Sequence, residues 1–305
     1  MLAYAATVPW RDRAALPNTL RIQGQAILPL LAIVIYWLIQ TTAAHPGLAA
    51  GVAPAGLLSA EETAVFNRFT VLKRCQDWLL GRWTMKLLLQ EIIRQDSGQT
   101  IAQDSISILA GKDGAPRASF AATYGDLDLP FSVSISHSHD TSLCAAVAQP
   151  DWPLGVDIEF IEPRSANFAA DFFTEEEIEQ VRDVAPDSRE TLLTAVWSGK
   201  EAALKAVHEG LRSDTRSVSC RFEGVEGTGP FRDRRGDLVG NCEEAGRDAG
   251  ALKWQSFGIR WERDADLKKY PLLNGWWMVS GEFVLTMAAK DDQTTKDFGL
   301  ASPQA

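Results

Sequence analysis

Apolar residues recur along this chain with two different periods, and the periods mark out its elements. "LLSAEETAVFNRF" (57–69) opens as a helix, with Ser59 a good N-cap and Glu62 three residues on, as in a capping box. In "VLKRCQDWLLGRWTMKLLLQEIIRQ" (71–95), Leu72, Leu79, Trp83, Leu87, Ile92 and Ile93 recur near the helical period, which predicts a long second helix. Short strand-like runs follow: "ISILAG", "FSVSIS" and "SLCAAVAQ". "FFTEEEIEQVRDV" carries Thr174 as N-cap with Glu177 three on. "TLLTAVWSGKEAALKAVHEG" predicts a longer helix that stops at Gly210, a plausible C′ glycine. "FGIRWE" and "GWWMVSGEFVLTMAA" close the ordered chain as strands.

The pattern repeats faintly. "LSAEETAVF" and its basic helix resemble "FTEEEIEQV" and the "WSGKEAALKA" helix, and both halves continue into strands. Two similar α+β halves, packed as a pseudo-dimer, account for this. Residues 1–30 read as an N-terminal extension, 31–152 as one half and 153–290 as the other. Residues 223–250 are rich in Gly, Asp and Arg and read as loops or a loose hairpin, and the polar tail 291–305 as frayed.

One stretch resists a simple pattern. "PLGVDIEFIEP" (153–163) is apolar, β-branched and bounded by prolines, so it predicts a short strand. Side chains alternate faces along a strand, so Asp157 and Glu159 stand side by side on one face. A solvated edge-strand face is the plainer reading. The other is a hard-cation site, because Mg²⁺ takes carboxylate oxygens and a bound cation would remove the repulsion.

Composition narrows the class. The 305 residues allow one large or two ordinary domains, and 46% hydrophobic with 23% charged residues is ordinary for a soluble protein. A net charge of −10 argues against a nucleic-acid partner. Cys75, Cys144, Cys220 and Cys242 form no CxxC pair and read as reduced thiols of a cytoplasmic protein. Ala26–Ile39 carries no charge, but its 14 residues fall short of the roughly 20 a spanning helix needs, and Pro29 interrupts it. A buried strand over 33–40 is expected there, with a signal peptide or membrane anchor as the alternative.

Three further groups carry chemistry. Trp197, Glu201 and Lys205 recur at i, i+4, i+8 on one helical surface; a helix-stabilising Glu–Lys pair explains them alone, and a third metal carboxylate with a phosphate contact explains them beside Asp157. Ser136, His137 and Ser138, in "SISHSHD", are expected in a loop after a strand, either as an ordinary polar turn or as a phosphate contact. There is no GxSxG elbow to make a hydrolase nucleophile. Lys73, Arg74, Arg82 and Lys86 give the second helix a basic face, either solvated or an anion site. No P-loop or GxGxxG occurs. Three carboxylates, a lysine and a basic cluster are the inventory for magnesium-assisted transfer of a phosphate-bearing group.

These residues resemble a known family. "GVDIE" (155–159) followed by "WSGKEAALKA" (197–206) is similar to the two acidic motifs of 4′-phosphopantetheinyl transferases of the Sfp type. "SHS" (136–138), "WLLGRWTMK" (78–86) and "GAPR" (114–117) resemble further motifs of that family. The resemblance implies an α+β pseudo-dimer, each half a small antiparallel sheet with packed helices. It implies a monomer that moves the 4′-phosphopantetheine arm of coenzyme A onto a serine of an apo acyl or peptidyl carrier protein and releases 3′,5′-ADP. Asp157, Glu159 and Glu201 would hold Mg²⁺; Glu201 and Lys205 would be catalytic; Lys73, Arg74, Arg82, Lys86, Arg117, Ser136, His137, Ser138 and Lys205 would bind coenzyme A. The family's "GKP" lysine is Ala115 here, with Arg117 or Lys112 as substitutes, and His139-Asp140 replaces a basic extension. A Mg²⁺-dependent phosphohydrolase and an inactive carrier-binding module are the competing functions.

Overall fold

The computed structural model describes residues 33–124, 127–222 and 254–291. The expected extension 1–30, most of the 223–250 segment and nearly all of the tail lie outside the described residues. Cys75, Cys144 and Cys220 are free thiols, the last two buried; Cys242 lies outside.

The first half is built on β1 (Ile35–Thr41), β4 (Ser132–Ser138) and β5 (Thr141–Val147), in the order β1-β5-β4 and antiparallel throughout. β1 is the buried strand expected from the apolar run; among the described residues no helix is long and apolar enough to cross a membrane. Helix α1 (Pro46–Ala50) and helix α2 (Ala60–Phe66) precede helix α3 (Leu72–Ser97), which packs across this sheet through Met85, Leu88, Leu89 and Ile92. A hairpin of β2 (Ile106–Ala110) and β3 (Pro116–Phe120) completes this half. The tight "GAPR" turn was legible, but the strand that leaves it was not, because Pro116 and Arg117 weaken its apolar pattern.

The second half is a five-stranded antiparallel sheet, order β6-β10-β9-β8-β7, from β6 (Leu154–Phe160), β7 (Val218–Phe222), β8 (Gln255–Trp261), β9 (Leu273–Ser280) and β10 (Phe283–Lys290). Helices α4 (Phe168–Phe172) and α5 (Glu175–Asp183) lead to α6 (Pro186–Ala206), which packs on this sheet; α7 (Asp264–Lys269) joins β8 to β9. The helix predicted to run to Gly210 ends at Ala206, where the backbone turns and His208 takes φ +60°.

The two halves are built alike at atomic level. Ser59–Glu62 opens α2 with a capping box, and Thr174–Glu177 opens α5 with another. The Glu62 carboxylate also accepts from Ile108 N (2.9 Å) and from Lys86 Nζ; the Glu177 carboxylate accepts from Cys220 N (2.8 Å) and Lys200 Nζ (2.5 Å). Each lysine donates again at 2.6 Å to a carbonyl, Leu57 or Val218. Both lysines are fully buried, so these ion pairs hold their half together only because every partner is satisfied. The pseudo-dimer reading of the sequence is therefore what the chain adopts.

The halves meet where β4 lies against β6, the edge strand of the larger sheet. No ladder joins them. Instead the alternating serines of β4 reach across: Ser132 Oγ accepts from Trp152 N (2.6 Å), Ser134 Oγ accepts from Val156 N (3.0 Å), and Ser136 Oγ donates to Asp157 Oδ1 (2.7 Å). On its other side β6 carries α6, so this edge is covered and Asp157 is only 2% exposed. A solvated strand edge is thereby excluded for Asp157.

Candidate functional site

The seam between β4, β6 and α6 gathers the charged residues singled out in the sequence. Lys205 Nζ donates to Asp157 Oδ1 (2.6 Å) and to Ser136 Oγ (3.1 Å) and lies 3.7 Å from Glu201 Oε2. Asp157 Oδ2 is buried with no hydrogen-bond partner. Such an orphaned anionic oxygen is costly unless something fills its remaining valence. Glu159, two residues along, is held at both oxygens: Oε1 accepts from Trp197 Nε1 (3.0 Å) and Oε2 from Arg164 Nη2 (2.9 Å). Trp197 in turn rests against Phe168 and Phe172 of α4, at 5.2 and 5.1 Å between ring centroids.

The charges perturb one another. Burial raises the Glu201 carboxyl to about 7; Lys205 pulls it down, and Asp157 and Glu159 push it up. Burial and Asp157 also raise Glu159, against Arg164 and Trp197. Burial would lower the Lys205 ammonium, but Asp157, Glu201 and Glu159 outweigh it and hold Lys205 above the ordinary lysine value. A carboxyl that prefers its proton near neutrality, next to a firmly charged lysine and an orphaned carboxylate oxygen, is a site short of positive charge.

This has a measurable consequence. The Glu201 carboxyl titrates near 7 when folded and near 4.5 as an ordinary carboxyl. Between those values the folded state keeps a proton that the unfolded state has lost, so stability falls as pH rises from 4.5 to 7 and then levels off. The penalty at pH 8 is about 3 kcal/mol. Glu201→Gln carries no such proton. Urea melts of the metal-free protein should therefore show the variant gaining on wild type across that window, and a difference independent of pH would remove the assignment.

Other expected site residues fall elsewhere. Ser136, His137 and Ser138 are the last residues of β4, not a loop. The strand places Ser136 inward at Asp157 and His137 outward, 3.9 Å from Asp77 Oδ2. Lys73, on the same side, bridges Asp77 (2.8 Å) and Asp140 (3.0 Å) and is exposed. Ser138 contacts the His139 ring (3.2 Å). Arg74 lies over Phe69 at 4.8 Å.

Lys86 is corrected outright: fully buried on Glu62, it has no path to a phosphate. Arg82 stacks on Trp78 (3.9 Å) and donates to Ile108 O (3.2 Å), bracing the first half from within. Arg117 is half-exposed and pairs with Asp113 (3.2 Å) and Asp151 (3.5 Å).

Beside the charged cluster a cavity of about 460 Å³ opens between the halves. The turn 113–116, with Asp113, forms one wall, and Lys205, His208, Glu209 and Arg212 line the cavity with charged and polar groups. His208 Nδ1 meets Asp113 Oδ2 (2.8 Å) and Arg212 Nη1 donates to Asp113 O (2.5 Å), tying the turn of the first half to the end of α6. Sequence reasoning missed His208, Arg212, Trp197's bond to Glu159, and the inward role of Ser132 and Ser134. The strict Ser–apolar alternation over 132–136 was the available signal for the serines.

The chain is similar to known proteins in its sequence. Residues 153–238 match the family model described as the 4′-phosphopantetheinyl transferase superfamily. Over 159 residues the chain is 25% identical to the 4′-phosphopantetheinyl transferase HetI of Nostoc sp., covering 52% of this chain and 62% of that protein. It is 27% identical over 154 residues to the 4′-phosphopantetheinyl transferase gsp of Aneurinibacillus migulanus, covering 50% and 57%. It is 34% identical over 96 residues to the 4′-phosphopantetheinyl transferase Sfp of Bacillus subtilis, covering 31% and 42%. The chain thus spans less than two-thirds of the length of these relatives.

Proposed function

We propose that this chain, whose second half carries a 4′-phosphopantetheinyl transferase superfamily domain, transfers the 4′-phosphopantetheine group of coenzyme A to a serine of an apo acyl or peptidyl carrier protein in the cytoplasm, with Mg²⁺. The observation that carries the reading is the junction of Asp157, Glu201, Lys205 and Ser136, of which Lys205 also lines the cavity between the halves.

The residues fit a hard divalent cation in their donor chemistry. Asp157 offers a buried, unpartnered oxygen and Glu201 a carboxyl awaiting positive charge. As the side chains stand, no group of three His, Cys, Asp or Glu among the described residues is placed to hold a metal ion, and Arg164 and Trp197 hold Glu159. Asp157, Glu201 and, once released, Glu159 would hold the ion. It would supply charge withdrawal at a pyrophosphate.

The protein's own residues do the rest. The carrier serine Oγ attacks the phosphorus that bears the pantetheine arm, and the P–O bond to 3′,5′-ADP breaks. Lys205 neutralises a phosphate oxygen as negative charge develops on it. Glu201 accepts the serine proton, directly or through a water. The cavity takes the nucleotide end of coenzyme A, with His208 and Arg212 in place of the basic residue absent at Ala115. Lys73 and His137 lie outside it on the exposed side, available to a terminal phosphate.

The test incubates the protein with Mg²⁺, coenzyme A and a panel of apo carrier proteins, and weighs each carrier. A gain of one phosphopantetheine on at least one carrier is expected. No gain on any of them overturns the reading. Release of nucleotide from coenzyme A without a carrier would instead assign a phosphohydrolase.

A further inference from the structure

We infer that Arg164 is a built-in counter-ion that competes with the divalent cation for Glu159, so that the strength of cation binding is set partly by a residue that never touches the ion. The inference rests on the metal reading above and concerns how that site is kept folded and ready without metal.

The carboxylates of β6 are each neutralised from within. Lys205 covers Asp157 at 2.6 Å, and Arg164 covers Glu159 at 2.9 Å. Two anions two residues apart on one strand face repel strongly once desolvated. An internal cation on each lets the strand pack before any ion arrives.

The two cations are not held equally. Lys205 engages Asp157, Ser136 and Glu201 together. Arg164 makes one direct hydrogen bond to Glu159, has Nη1 only within 3.7 Å of Glu162, and leaves Nε buried without a hydrogen-bond partner. A guanidinium with a buried unsatisfied N–H is poorly seated. It is therefore the cation that yields.

What it yields is one oxygen. Trp197 keeps its hold on Glu159 Oε1 while Oε2 is freed, so the carboxylate stays anchored to α6 as it turns to a new partner.

The experiment measures Mn²⁺ binding alone, without coenzyme A or carrier, from the free-ion electron paramagnetic resonance signal over the full chain. Arg164→Gln removes the competitor and should tighten Mn²⁺ about tenfold, the scale of a half-buried ion pair. Arg164→Met keeps the stem near Phe168, whose ring lies 5.4 Å from the guanidinium, and should show the same gain. Arg164→Lys restores the charge and should stay within about threefold of wild type. Circular dichroism confirms that each variant is folded. Mn²⁺ binding by the wild type with equal or weaker binding by both neutral variants overturns the inference and leaves the metal site standing. No Mn²⁺ binding by any of the four proteins removes the metal site and the inference together.

Discussion

Replacing Asp157 by asparagine should cut phosphopantetheine transfer by about a thousandfold while the protein still folds. Asparagine keeps the shape of the side chain, so β4 and β6 can still meet at Ser136. It removes the charge that holds Lys205 and the only buried, unpartnered carboxylate oxygen in the site. Losing one preorganised electrostatic group at a reacting centre typically costs a hundred- to thousandfold, and this residue serves two such roles. Some stability is lost as well, about 1–3 kcal/mol, because Lys205 keeps no carboxylate closer than Glu201 at 3.7 Å.

A second readout separates a charge role from a packing role. Asp157 is one of the charges that raise the Glu201 carboxyl, and it competes with Glu201 for Lys205. Both effects vanish in Asp157→Asn, so the Glu201 midpoint should move below 7. The stability difference between Asp157→Asn and the double variant Asp157→Asn/Glu201→Gln, followed against pH, reads that midpoint. An unchanged transfer rate in the single variant would remove Asp157 from the chemistry.

Much of this site could be read from residue patterns, because its parts announce themselves locally. Two capping boxes, a strand with paired carboxylates and a helix with Glu201 and Lys205 one turn apart are short-range signals, and each is where it was expected. What failed was the choice of which face of α3 looks outward. Arg82 and Lys86 share a face by spacing, and a basic face on an isolated helix reads as an anion site. That face is instead covered by the segment 57–62, whose Glu62 takes Lys86. Periodicity finds a helix's faces but not the segment that will lie on each.

The repeat held the missing information. Glu62 and Lys86 are 24 residues apart, and Glu177 and Lys200 are 23 apart. Pressed residue by residue, the repeat pairs Lys86 with buried Lys200, not with a ligand, and predicts the same interior ion pair twice. Arg164 was harder. It lies five residues beyond Glu159 in an irregular segment, where no period applies, and only the fold brings it back to the carboxylate. Ser136 was found by motif but misplaced as a loop residue, because a Ser- and His-rich stretch reads as a turn. The turn is in fact His139–Asp140, both at positive φ, immediately after the strand ends.

The glycine of "GVDIE" shows how closely the site depends on packing, and Gly155→Ala should prevent the second half from folding stably. A Cβ at Gly155 would lie 1.9 Å from the Ala202 carbonyl oxygen and 2.5 Å from Ala206 N. Both are backbone atoms of α6, so no rotamer change can make room. The helix would have to shift away from β6 by more than an ångström, against a core in which Ala202, Ala203 and Leu204 are fully or almost fully buried. The expected cost is at least about 4 kcal/mol, the range reserved for severe overpacking. Gly281→Ala is the control: a Cβ added at Gly281, where φ is +59°, would meet nothing within 4 Å, so that variant meets only the left-handed backbone penalty of about 1 kcal/mol. Denaturant melts of the two variants separate steric from conformational need, and a Gly155→Ala protein within 1 kcal/mol of wild type would show that α6 does not need this close approach. The same contact fixes the chemistry. Lys205 lies between Ala202 and Ala206 on α6, and Asp157 lies two residues beyond Gly155 on β6, so a helix held even an ångström too far from the strand would stretch the 2.6 Å ion pair on which the site is built.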